Sequence, residues 1–205
     1  MPRKLDLKRL KTRSTNALNH IMARVESPPK GADHLFIRWM CAMSAVEIHG
    51  VWERYAENRL VALLNHDVRH FVSEQSIKGI SHVSVGLAYY VVRGGNRYFD
   101  FRSMSDLISR ADHCAGNAAN PFRAIPVSQR NYLDALAAIR NYVVHGSDAS
   151  IESYKRTLSS VYGITYAPGP DEFLNALDNR ASSPARYKRR FDGLATVVRS
   201  AIAMA

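Results

Sequence analysis

The run SQRNYLDALAAIRNYVVHG, residues 128–146, decides the fold class. Tyr132, Leu136, Ile139 and Val143 recur at i, i+4, i+7 and i+11, which at about 100° per residue places them on one narrow stripe. The stripe predicts an amphipathic α-helix laid on a core, begun near Ser128 and ended by Gly146. On the same wheel Arg140, Val144, Asn141 and His145 follow one another around an arc that leaves the stripe. An arginine, an amide and an imidazole thus leave the core together.

The flanking sequence extends the helical pattern. Residues 4–26 carry Leu7, Leu10, Leu18, Ile21 and Val25 at helical positions among Lys4, Lys8, Arg9, Lys11, Arg13 and Arg24; with Arg3 these make residues 1–30 a basic N-terminal helix ended by Pro28, Pro29 and Gly31. Ala32 to Asn65 contains no proline and reads as one long or kinked helix, weakest at Gly50. On its wheel Leu35, Trp39, Ala42, Met43, Val46, Leu60, Val61 and Leu64 gather on a core side, with Glu47 and Arg54 at the edge. Tyr89 to Val92, then Gly94-Gly95, then Tyr98, Phe99 and Phe101 fit a small β-hairpin insertion. Ser103 and Asp106 open a helix to about Cys114, and Asn117–Pro126 is a loop. Further helices are expected at 151–161 and, with Tyr187, Phe191, Leu194, Val198 and Ile202 inward, at 185–205. The expectation is a single, mainly α-helical bundle over residues 1–205.

Composition narrows the function classes. The 205 residues include 28 Lys and Arg against 18 Asp and Glu, a formal charge of +10, so a polyanion is the natural partner. The 46% hydrophobic fraction argues against disorder. Cys41 and Cys114 cannot form a disulfide framework, which fits a reducing cytoplasm. No run of about 18 apolar residues marks a membrane span.

The arginine, amide and imidazole suit RNA cleavage without a metal or cofactor. A phosphodiester is split by its own neighbouring 2′-hydroxyl when protons are moved and charge is stabilised. His145 moves protons near neutral pH. Arg140 offers a planar fork to the phosphate oxygens, and Asn141 orients phosphate or imidazole by hydrogen bonding. A single histidine supplies only one of the two proton-transfer groups such a reaction uses; a homodimer with the two helices about a two-fold axis supplies both.

Arg140-Asn141-Tyr142-Val143-Val144-His145 resembles the R-x(4–6)-H motif of HEPN domains, in particular the larger RiboL-PSP-like group. The resemblance implies a HEPN-type helical bundle, a two-fold dimer with a composite site, and metal-independent endoribonuclease activity. It also implies the setting of a toxin held by an antitoxin, or of phage defence. Such proteins often direct an acidic or polar residue of the long helix at the site, for which Glu47 is the candidate here. Arg13 with His20 and Arg59 with His66 share the loose spacing, but only Arg140 is followed at once by asparagine, near the end of a strongly amphipathic helix that a glycine closes. A catalytically silent HEPN-like module binding nucleic acid or protein is the alternative reading.

Other constellations are weaker. His66-Asp67-Val68-Arg69-His70 resembles the zinc pattern H-E-x-x-H, with the shorter aspartate and no third ligand at a familiar spacing. Arg93-Gly94-Gly95-Asn96-Arg97 lacks the lysine of a nucleotide-binding loop and reads as a turn whose Arg93 and Arg97 contact RNA. Lys188, Arg189 and Arg190, interleaved with Tyr187 and Phe191, read as a phosphate rail.

Overall fold

In a computed structural model the described residues are 4–205, so Arg3 lies outside them. They form nine α-helices and two short 3-10 turns, and no strand occurs among them. The helices are α1 Leu7–Glu26, α2 His34–His66, α3 Arg69–Glu74, α4 Val85–Val92, α5 Met104–Ala115, α6 Val127–His145, α7 Asp148–Tyr162, α8 Pro170–Asn175 and α9 Arg190–Met204. The mainly α expectation holds, and α2 passes Gly50 without a break. Among the described residues no helix is long and apolar enough to cross a membrane.

The chain groups into two compact units. One comprises residues 1–14, 52–126 and 201–205, the other 15–51 and 127–200. In the first, Trp52 stacks on Tyr55 and meets Phe122 edge-on, and the Tyr55 hydroxyl donates to the Ile202 carbonyl at 3.0 Å. The Asn65 side chain accepts from the Leu5 amide and donates to the Val83 carbonyl, so a fully buried amide ties two chain segments. Lys11 and Arg59 donate to the Ala203 and Ala205 carbonyls, satisfying acceptors that the end of α9 leaves without helical partners.

The expected hairpin is corrected: residues 85–92 form α4, and Tyr98, Phe99 and Phe101 lie in the loop beyond it. The Ser84 hydroxyl caps α4 by accepting from the Leu87 amide, and Ala88 and Val92, four apart, bury a helical rather than an alternating face. Gly94 and Gly95, both at positive φ, make the turn. The apparent β signal came from β-branched and aromatic residues that serve equally well on a short packed helix.

In the second unit α6 and α7 are joined by an aromatic ladder. Tyr142 meets Tyr154 at 5.1 Å, Tyr154 meets Phe173, Phe173 meets Tyr162 at 4.8 Å, and Tyr162 meets Tyr132, all but the first with planes near perpendicular. Edge-to-face contacts of this kind add about 0.5–1.5 kcal/mol each to the area they bury. The Arg180 guanidinium lies over the Tyr162 ring and pairs with the buried Asp178 at 2.6 Å.

Two further expectations change. Leu35, Trp39 and Met43 are exposed, Trp39 by 56%; the buried side of this stretch is lined by the smaller Cys41, Ala42, Ser44 and Ala45 together with Met40 and Ile48. Ala42, Leu60, Val61 and Leu64 are buried as expected, so the misreading is confined to the large residues of the first turns. The C-terminal helix starts at Arg190, not 185. Upstream, the backbones of Asp178, Tyr187 and Lys188 exchange hydrogen bonds around an isolated antiparallel bridge between Leu177 and Arg189, and Tyr187 takes a φ of 64°. Phe191, Leu194, Val198 and Ile202 are buried as expected, whereas Tyr187, lying before the helix, is exposed.

Candidate active site

The last turn of α6 is where the stripe and the polar arc part. Tyr132, Leu136 and Ile139 are buried, while Asn141, Val144 and His145 are exposed. Gly146 takes φ 57°, a left-handed conformation that ends the helix directly after His145. Ser147 then caps α7 by accepting from the Ser150 amide. The imidazole is therefore held between a helix end and a helix start, on a rigid corner.

The structure brings Arg140, Asn141 and His145 into one hydrogen-bonded group. Arg140 Nη1 lies 2.8 Å from Asn141 Oδ1 and 3.1 Å from His145 Nε2. A guanidinium has only donors, so in this contact His145 Nε2 carries the lone pair and the ring proton sits on Nδ1. The arrangement sets an imidazole nitrogen able to accept a proton beside a cation that can bind an anion. Tyr142, within the same turn, faces the other way onto Tyr154 and anchors the turn to the core.

Glu47 is occupied elsewhere. Its carboxylate takes the Arg24 guanidinium at 2.5 Å, and Arg24 also reaches the Ser44 hydroxyl at 3.4 Å. Both charged groups are about half exposed, so this is a surface ion pair of small energetic weight.

The expected RNA contacts divide. Arg189 pairs with Asp192 and donates to the Val25 carbonyl, and Arg190 packs over the Phe173 ring at 4.8 Å, so both serve the fold. Arg93 is held by Glu57 at 2.5 Å. Arg97, over the Tyr98 ring, and Lys188, in a cleft of about 380 Å³ lined also by Arg199, Glu26 and Asp192, are exposed.

His66 and His70 do not share a helix, because α2 ends at His66 and α3 starts at Arg69. His66 Nε2 contacts the Leu5 carbonyl, and Glu74 lies between His70 and His113. Among the described residues no group of three His, Cys, Asp or Glu is placed to hold a metal ion. Burial pushes the Cys114 thiol up to about 12, so it is an inert core group.

Sequence reasoning missed the aromatic ladder and the Asp178–Arg180 pair. The ladder did have a signal, since Tyr154, Leu158 and Tyr162 recur every fourth residue and all three are buried. Compared with protein-family models, with curated proteins and with solved structures, the chain matches none.

Proposed function

We propose that the protein is a metal-independent endoribonuclease of HEPN type, acting as a homodimer with the Arg140–His145 turns of two copies around one cleft. The observation that carries this reading is the contact of Arg140 Nη1 with both Asn141 Oδ1 and His145 Nε2, which leaves an oriented base beside a phosphate-binding cation.

In the reaction the RNA 2′-hydroxyl attacks the adjacent phosphorus, and His145 Nε2 accepts its proton. The bond from phosphorus to the 5′-oxygen breaks, and that oxygen takes a proton from His145 of the partner subunit. The products are a 2′,3′-cyclic phosphate and a 5′-hydroxyl. When phosphate enters, Arg140 turns from the imidazole to the non-bridging oxygens, where the charge of the transition state develops, and Asn141 keeps its side chain in line. A second copy finds support in the exposed apolar run Leu35, Phe36, Trp39 and Met43, a kind of surface that marks interaction sites. It belongs to the same compact unit as His145. The exposed Val144 beside His145 fits the same arrangement. The resemblance to HEPN ribonucleases implies the setting of a toxin held by an antitoxin protein, or of phage defence.

A substrate series tests the mechanism. An oligonucleotide cut by the wild type should become resistant when a 2′-O-methyl group replaces the hydroxyl at the cleaved position alone, since the nucleophile is gone. Continued cleavage there would mean that water attacks instead, and the reading would fall.

A further inference from the structure

The unit comprising residues 52–126 carries a second concentration of chemistry, away from the turn that holds His145 in sequence and in a different compact unit. Two adjacent tyrosines of α4 behave differently. Tyr89 is directed inward: its hydroxyl donates to Asn58 Oδ1 and its ring lies under Arg93. Tyr90 is 66% exposed, its ring running beside the glycine turn, with the hydroxyl 3.5 Å from where a Cβ on Gly95 would stand. Past the turn Tyr98 is 70% exposed, and the Arg97 guanidinium sits over its ring at 5.3 Å. From Ile77 to Ser103 the cations are Lys78, Arg93, Arg97 and Arg102 against the carboxylate Asp100; Arg93 is paired with Glu57 and Arg102 lies beside Asp106, so Arg97, over the Tyr98 ring, is the cation set at an exposed tyrosine.

The two exposed rings are open to a partner, and the chemistry around them selects it. A base presents a flat π face to a tyrosine, and the adjoining phosphate meets Arg97. The positive surroundings disfavour a basic protein or peptide as occupant, while the chain as a whole, at +10, attracts polyanions. A duplex keeps its base faces stacked inside and cannot offer them.

We infer that the exposed rings of Tyr90 and Tyr98, the latter with Arg97 over it, are stacking positions for unpaired bases, so that the strand bound is single-stranded RNA. This deepens the ribonuclease reading and rests on it for the choice of RNA among polyanions. At positive φ, Gly94 and Gly95 let the chain turn tightly between the two rings.

The test is binding of the full-length protein to a fluorescent single strand of about 12 nucleotides, within the span that such surfaces occupy, 2′-O-methylated throughout so that it cannot be cut by its own hydroxyl. Fluorescence anisotropy should show the single strand bound more tightly than its duplex. Tyr90→Ala and Tyr98→Ala should each weaken the single strand by about tenfold or more, Tyr98→Trp should retain affinity, and the duplex should respond to none of them. Arg97→Ala should reduce the slope of log affinity against log salt by about 0.7. Both tyrosines are exposed, so the variants keep the helical spectrum of the parent. Unchanged single-strand affinity in the double alanine variant overturns the proposal. So does normal RNA binding with a lost self-association, which would assign the rings to a protein contact. Cleavage and binding fail separately: an inert His145 with intact Tyr98-dependent binding removes the catalytic reading alone.

Discussion

Replacing Tyr154 by alanine removes the ring against which the turn carrying Arg140 and His145 rests. Tyr154 is 1% exposed, touches Tyr142 and Phe173 edge-on, and donates its hydroxyl to the Pro168 carbonyl at 2.8 Å. Truncating a buried aromatic to alanine costs about 3–5 kcal/mol, cavity included. Tyr154→Phe removes only the hydrogen bond, about 1 kcal/mol. For a chain of this length the two losses convert to falls in melting temperature of roughly 6–20 °C and roughly 2–4 °C. Circular dichroism melts of the three proteins measure both. RNA cleavage well below the transition should then separate stability from positioning. Tyr154→Phe should cut at close to the wild-type rate, whereas Tyr154→Ala should lose about tenfold or more, because small displacements of catalytic groups are costly. A Tyr154→Ala melt within about one degree of Tyr154→Phe would refute the reasoning, since the ladder would then bear no weight.

Other consequences follow from particular contacts. Burial raises the Asp178 carboxyl, but hydrogen bonds from Arg180 and Ser183 together with the Arg180 charge more than offset it, so it titrates below its ordinary 3.8. Its contribution is therefore complete above the unfolded value and lost as pH falls below about 4; melts across the acid range should show a slope in the wild type that Asp178→Asn flattens. Arg180→Ala leaves that carboxylate buried without its partner and should cost about 3 kcal/mol at neutral pH, seen as a lower urea midpoint. Gly146→Ala forces a side chain into the left-handed region and should cost about 1 kcal/mol while slowing cleavage, because the strained residue is the neighbour of His145. Trp39→Glu should halve the mass measured by light scattering and reduce cleavage per chain, if the exposed run on α2 joins two copies.

The helices around the candidate site were readable because their signals are local. Residues 128–146 carry a strict apolar spacing and a closing glycine, and the structure returns α6 at Val127–His145 with Tyr132, Leu136 and Ile139 buried. The adjacency of Arg140, Asn141 and His145 follows from the same helical geometry. What periodicity could not supply was the direction of the first turns of α2, where Trp39 and Leu35 are bulky but face out while alanine, serine and cysteine face in. Hydrophobicity ranks side chains by size and misses a packed side made of small ones. The hairpin failed for a related reason: valine and tyrosine favour strands by propensity, but the Ser84 cap and the Ala88–Val92 spacing decide for helix. The partner of Glu47 was beyond sequence reach, since Arg24 lies on another helix.

The most direct test is to incubate purified wild type and His145→Ala with RNA in the presence of EDTA and to determine the ends of every fragment. Fragments with 2′,3′-cyclic phosphate and 5′-hydroxyl ends, made by the wild type and at least about a hundredfold more slowly by His145→Ala, are the predicted result. Intact RNA in both samples, with the dimer and the helical spectrum present, would contradict a ribonuclease built on Arg140, Asn141 and His145.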